Sequence, residues 1–512
     1  MIISTLLCVL SGSSIGHAAS HSTRPVADLG YSRYQGVRLA AGVDQYLGMR
    51  YAAQPLGTLR FRASRGPVHN STLQDASEFG PICVGTGQST TSTRAEDCLF
   101  INVFTPADAT EHSKLPVWVF IQGGAYATNS NANYNGTEVV RESGNNIVFV
   151  NFNYRVGALG FLAGAEVQRH GDLNVGLLDQ REALKWVKRH IRQFGGNPDH
   201  VVIHGASAGG GSVSFHLTAY GGRNDGLFVG AIPESPWWAP QVTISESEIL
   251  YNRLLQAVGC STLACLRAVD ASAIQKANLN APDQGLISYP AGLGKFWPVI
   301  DGDLVRDRLY ASFEKGKFIR VPPAEVSVFL RSFYPRLNSE QLQTINDAYP
   351  KMDPVPQHAA YFPSVSAAFG DATIVCPGIH ITNNMARFFE HGSDKVWNYR
   401  YNVQDPPRIA AGLGVTHTFD LQAIFGLNYG SSVSSSMRDI TPIIPVVMHY
   451  YISFIRTLNP NLLKADSAPF WKPWGDGERL KVQTNATAME TVSAVQWDRC
   501  SLWKRLAPVL EG

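Results

Sequence analysis

Charge is what this chain has least of. Only 16% of its 512 residues are charged, and 43 Lys and Arg against 41 Asp and Glu leave a net charge of +2. With no basic or acidic blocks there is no electrostatic footprint for nucleic acid, and no nucleic-acid partner is expected. Long apolar runs are missing beyond the N-terminus. The nearest approach, Ile443 to Ile455, is broken by Pro445, His449 and Ser453 and reads as a buried helix; no stable membrane insertion is expected. No Cys/His spacing suits zinc and no Gly-rich loop suits a phosphate, so the expectation is no metal and no cofactor. Internal repeats, low-complexity tracts and linkers are absent too. Oligomeric state is left open by all of this.

Apolar residues make up 45% of the chain, enough for a large core. The first twenty residues resemble a secretory signal: an apolar stretch from Ile2 to Leu10, then small residues up to Ala18 and Ala19, after either of which cleavage would fall. Residues 1–19 are read as that signal, and 20–512 as a single α/β domain of a secreted protein. Of seven cysteines, Cys8 leaves with the signal. Cys83/Cys98 and Cys260/Cys265 are spaced to close short disulfide loops in an oxidising compartment; buried free thiols are the other reading. Asn70, Asn135 and Asn485 head N-x-S/T glycosylation acceptors.

Apolar strands alternate with helical stretches. Val117–Ile121, Asn146–Phe152 and Val201–His204 read as strands. Leu178 to Phe194 reads as a helix with its charges on the outer face, stopped by Gly195-Gly196-Asn197-Pro198. Strand, helix and strand in series predict a mostly parallel sheet flanked by helices.

The third strand runs into Gly205-Ala206-Ser207-Ala208-Gly209, a G-x-S-x-G match. Small residues there let the chain turn sharply from strand to helix and lift the Ser207 hydroxyl clear of the sheet. A serine presented this way is a candidate nucleophile. After the strand ending at Ile121 comes Gln122-Gly123-Gly124-Ala125-Tyr126, whose glycines let backbone N–H groups face a substrate oxygen. Gly124, Ala125 and Ala208 are the candidate oxyanion donors.

With these segments on the page, the chain resembles the type-B carboxylesterase/lipase family, which includes the cholinesterases. Glu96-Asp97-Cys98-Leu99-Phe100-Ile101-Asn102-Val103 looks like its E-D-C-L-x-L-N-V stretch. Asn153-Tyr154-Arg155-Val156-Gly157, Asn174 to Gln180 and Phe194 to Pro198 look like the segments leading to the nucleophile. The resemblance implies an α/β-hydrolase fold, with its large central sheet, and hydrolysis of small-molecule carboxylic esters through an acyl-enzyme. It also implies that Gly414-Val415-Thr416-His417-Thr418-Phe419-Asp420 bears the general base, His417. Since the family contains non-catalytic adhesion members, a binding protein or impaired pseudoenzyme is the alternative.

Three departures stand out. The turn that bears the family's catalytic acid is not found after Phe318-Ile319-Arg320-Val321-Pro322-Pro323; Glu325 lies nearest its place, either as the acid or as a helix-start carboxylate, with Asp301, Asp371 and Asp420 as rivals. Ala206 stands where the family often has Glu, which predicts loss of a buried carboxylate from the active-site floor. Ala125 stands where a third glycine is usual. Trp237 and Trp238 resemble the acyl-pocket segment, as an apolar wall or as core. The loop Val84–Asp97, a lid in the family's lipases, is here short and polar, which favours an esterase for soluble esters over an interfacial lipase.

Overall fold

Seven strands carry the core: β1 (Val37–Arg38), β2 (Val43–Arg50), β3 (Phe100–Pro106), β4 (Leu115–Ile121), β5 (Val148–Phe152), β6 (Gly196–Ala206) and β7 (Gly230–Glu234). They lie in the order β7-β6-β4-β5-β3-β2-β1. The computed structural model describes residues 24–129, 133–280, 296–319, 339–353, 355, 362–388, 392–426, 441–475 and 477–510, so the proposed signal and Glu325 lie outside the described residues. The four strands nearest the site, β7, β6, β4 and β5, run parallel. From β5 outward through β3, β2 and β1 the pairings are antiparallel. A smaller sheet pairs β8 (Tyr399–Tyr401) parallel to β9 (Glu478–Val482), which pairs antiparallel with β10 (Ala488–Thr491).

The strands are continuous apolar runs because both faces of the sheet are covered. Alternate residues serve opposite cores. Val117, Val119, Ile121, Val148, Val150, Val201 and Ile203 face one side, against Leu184, Trp186 and Val187 of helix α1 (Val175–His190) and Val213 and Leu217 of α2 (Ala208–Gly222). Trp118, Phe120, Phe149, Val202 and Ile232 face the other, against Phe425 of α3 (Leu421–Phe425) and Val447, Tyr451 and Phe454 of α4 (Ile444–Thr457).

The helix expected over 178–194 starts three residues earlier and passes at its end into a tighter turn, Ile191–Phe194. Its charges do not all face outward. Asp179, Arg181 and Glu182 are buried, because both flanks of α1 are packed and the charges find partners there. Asp179 accepts from Arg155 Nη2 at 2.6 Å and Nε at 2.7 Å, and Arg181 pairs with Asp225. Three disulfides join Cys83–Cys98, Cys260–Cys265 and Cys376–Cys500. The last spans 124 residues, too far apart in the chain for spacing to pair them.

Candidate active site

Strand β6 ends in the turn that presents Ser207. That residue has φ +60° and ψ −122°, a strained backbone for a residue with a Cβ. Glycines make the turn possible by close approach. A Cβ on Gly205 would stand 2.2 Å from the Gly209 carbonyl oxygen, and one on Gly210 would stand 2.4 Å from that of Glu234. Two backbone bonds lock the elbow to β7 and the segment that follows it: Ser207 N–H donates to the Glu234 carbonyl at 3.0 Å, and Trp237 N–H donates to the Ser207 carbonyl at 2.8 Å.

His417 arrives from a loop 210 residues further on, and its Nε2 lies 2.9 Å from Ser207 Oγ. The loop is shaped by Gly414 at φ +63° and Thr418 at φ +58°. It is held by Thr418 Oγ1 donating to the His417 carbonyl at 2.7 Å, by Arg408 donating to Thr416, and by the Arg408 guanidinium lying over Phe419. Both Ser207 and His417 are half-buried. His417 also lines a cleft of about 190 Å³ with Ser235, Arg400, Tyr401, Thr416 and Asp420 among its walls.

Beside the elbow, β4 leads into Gly123, Gly124 and Ala125. A Cβ on Gly123 would stand 2.7 Å from the Ala206 carbonyl oxygen and 3.0 Å from Ser207 Cβ, so this segment passes directly against the nucleophile turn. Gly124 (φ +115°) and Ala125 (φ +55°) then curl away. Ala208 opens α2, and amides in a helix's first turn have no acceptor within the helix.

The rival acids are differently employed. Asp301 accepts from Asn174 Nδ2 at 2.7 Å and from the amides of Asp303 and Val305. Asp371 accepts from Tyr349 Oη and Gln496 Nε2, both at 2.8 Å. Asp420, three residues beyond His417, accepts from Tyr399 Oη at 2.7 Å. Glu325 lies outside the described residues.

The active-site floor does keep a buried carboxyl group. Ala206 pairs across the sheet with Glu234, which is wholly buried and bonded through Oε2 to His204 Nε2 at 2.7 Å. A buried carboxyl group therefore lies one strand over from Ala206. Neither Glu234 nor His204 was assigned a role from sequence; the signal was a histidine inside an apolar strand, which burial obliges to find a partner.

Trp237 packs against Tyr126 and Trp297, at ring separations of 5.7 and 6.0 Å. Trp238 stacks on Phe313 and meets Tyr310 edge-on, so only the first adjoins the oxyanion segment. The Val84–Asp97 loop is strapped to the helix Ala271–Asn280: Gly87 N–H reaches the Gln275 carbonyl, Thr90 N–H reaches Ser272 Oγ, and Gln275 Nε2 reaches the Val84 carbonyl. Asn70, Asn135 and Asn485 are exposed. Among the described residues no cluster of His, Cys, Asp and Glu is placed to hold a metal ion, and no helix is long and apolar enough to cross a membrane.

The sheet order and the strand-to-helix elbow define an α/β-hydrolase fold. Within that fold, the Carboxylesterase family model matches residues 25–324 and 323–503, and the chain belongs to this family of carboxylic ester hydrolases. The two matched segments meet at residues 323–324, where the acid-bearing turn is not found in the sequence. The chain is similar to the crystal structure of Aspergillus niger EstA, with 52% identity, a TM-score of 0.92, and 96% of this chain and 100% of that one covered. It is 29% identical to Secreted lipase 4 of Gibberella zeae over 91% of this chain and 89% of that protein. It is 27% identical to Carboxylesterase patB of Penicillium expansum over 94% and 96%. Identity with Lipase 2 of Geotrichum candidum is 36%, over 56% of this chain and 58% of that protein.

Proposed function

We propose that the protein is a secreted serine carboxylesterase that cleaves soluble carboxylic esters through an acyl-enzyme. The observation that carries this reading is the 2.9 Å approach of His417 Nε2 to Ser207 Oγ, within the reach a general base needs. Ser207 Oγ attacks the ester carbonyl while His417 takes its proton. The amides of Gly124, Ala125 and Ala208 receive the oxyanion. His417 then protonates the departing alcohol, and the same steps run with water release the acid. Glu325 is the acid that completes the triad with His417 in this reading. Trp237, beside Tyr126, forms the apolar acyl wall.

Secretion is supported by the apolar N-terminus, by three disulfides, and by relatives whose names call them secreted. The preference for soluble esters is supported by the polar, strapped loop at 84–97.

A fluorophosphonate probe tests the proposal. Folded wild-type protein is expected to label stoichiometrically and Ser207→Ala not at all, with its esterase turnover lost. Absence of labelling in the folded wild type would leave a binding protein on a hydrolase fold.

A further inference from the structure

The wholly buried groups behind the elbow form a continuous line: Trp118, His204, Glu234, Asp420, Tyr399 and Tyr451. Each link has a direction that chemistry fixes. Indole N–H is a donor only, so Trp118 Nε1 donates to His204 Nδ1 at 3.2 Å. A neutral His204 then carries its hydrogen on Nε2 and donates it to Glu234 Oε2 at 2.7 Å. At the opposite end, Tyr399 Oη donates to Asp420 Oδ2 at 2.7 Å. Its hydrogen being spent there, Tyr451 Oη donates to Tyr399 Oη at 3.0 Å.

Glu234 and Asp420 meet in the middle. Their side chains face each other closely enough for a carboxyl–carboxyl hydrogen bond, and two carboxylates so placed cannot both be ionised. Donor count decides which keeps the proton. Apart from Glu234 itself, Asp420 receives Tyr399 and the backbone amides of Asp420 and Leu421. Glu234 receives only His204 among the described residues. The charge therefore belongs on Asp420 and the proton on Glu234.

We propose that this relay makes Asp420 the ionised member of the buried pair, and that Asp420 is a positioning residue whose charge supports the imidazolium formed when Ser207 attacks. The proposal rests on His417 being the base. Asp420 stands three residues from His417 on the same turn and lines the same cleft.

Titration directions agree. Burial and the facing Asp420 hold the Glu234 carboxyl well above the usual range. Burial also raises Asp420, against the pull of its four donors. Burial drives His204 down to about 3, so it stays neutral. Among the described residues, the other titratable groups facing the pair are Tyr399 and Tyr401 from β8, both pushed far up by burial and by Asp420, and Tyr451 from α4. Arg400, also on the cleft, is committed to Glu490 at 2.6 and 2.7 Å.

The acid limb of kcat/KM against pH, on p-nitrophenyl butyrate, reads the base directly. Asp420→Asn is expected to move that limb down by about one pH unit and to cut kcat about tenfold with KM within about twofold. Glu234→Leu, which cannot donate, is expected to move the limb the same way. Glu234→Gln is expected to rescue it, because its amide accepts from His204 and donates to Asp420 as the protonated acid does.

A Glu234→Gln limb displaced like that of Asp420→Asn overturns the proposal, as does an Asp420→Asn limb that stays in place. Should Asp420→Asn fail to fold, infrared difference spectra of wild type and Glu234→Gln at pH 7 decide: a protonated-carboxyl stretch lost in the variant supports the relay, and its absence from wild type overturns it. Hydrolysis surviving in Ser207→Ala would instead sink the serine mechanism itself.

Discussion

Gly209 sits so close to Ile121 that a methyl group on it would stand 2.0 Å from the Ile121 carbonyl oxygen. The nucleophile helix thus begins in backbone contact with the strand that leads into the oxyanion segment. One glycine sets the spacing between the attacking oxygen and the amides that receive the charge. Gly209→Ala must push these apart, and displacements near 1 Å cost about 100-fold in turnover. The variant is expected either to lose about that much kcat on p-nitrophenyl butyrate or to be recovered unfolded; a folded variant with wild-type kcat would show that this contact does not set the site.

Gly124 gives a narrower test of the oxyanion assignment. At φ +115° it holds a conformation that alanine reaches only with strain. Gly124→Ala is expected to turn its amide away and reduce kcat by about 10²-fold or more. KM should change little, and fluorophosphonate labelling should slow in parallel. A loss confined to KM would place the residue in substrate binding instead.

Much of this was legible in the sequence, and what was not has a common cause. Strands β4, β5 and β6 announced themselves because a sheet covered on both faces needs unbroken apolar runs. Ser207 and the glycines around it were legible because few residue types tolerate the elbow. His417 was found only through its resemblance to a known segment, since nothing local marks one histidine among 14. The Glu234–His204 bond was not legible, because it depends on the register that sets Ala206 opposite Glu234. The burial of Asp179 and Arg181 was missed for a similar reason: periodicity shows the apolar stripe of a helix and not whether its other flank is packed.

Substrate size follows from the loop at 84–97. Its bonds to Ser272 and Gln275 hold it against a neighbouring helix, and its sequence offers no apolar face for a lipid surface. p-Nitrophenyl butyrate is therefore expected to be cleaved at least about tenfold faster than long-chain emulsified esters, with no jump in rate as the substrate passes its micelle threshold. Interfacial activation would refute this.

Acid stability should carry the mark of a buried histidine. His216, bonded through Nε2 to Gln180 at 2.9 Å, is held neutral by burial and by Arg181, well below its ordinary value. The unfolded chain takes up a proton there near pH 6.5 and the folded one does not, so folding stability falls as pH drops below about 6.5. One such group contributes a slope of about 1.4 kcal/mol per pH unit. Urea unfolding between pH 7 and 5 is expected to show a slope shallower by about that amount in His216→Gln. Parallel lines for the two proteins would mean that His216 protonates in the folded state.

The Cys376–Cys500 bond closes by far the longest loop of the three, 124 residues against 15 and 5. In the chain-entropy view, a cross-link stabilises by restricting the unfolded ensemble, and a loop of this length contributes about 4–5 kcal/mol. Its ends join the helix Cys376–Phe388 to the C-terminal helix Ala494–Leu510. That bond also pins Gln496, which donates to Asp371 at 2.8 Å. The double variant Cys376→Ala/Cys500→Ala is expected to lose several degrees of Tm and to give up its C-terminal segment early in limited proteolysis. Removing Cys260–Cys265, which closes only 5 residues, should cost far less. Equal losses from the two deletions would mean that the unfolded chain already keeps residues 376 and 500 close together.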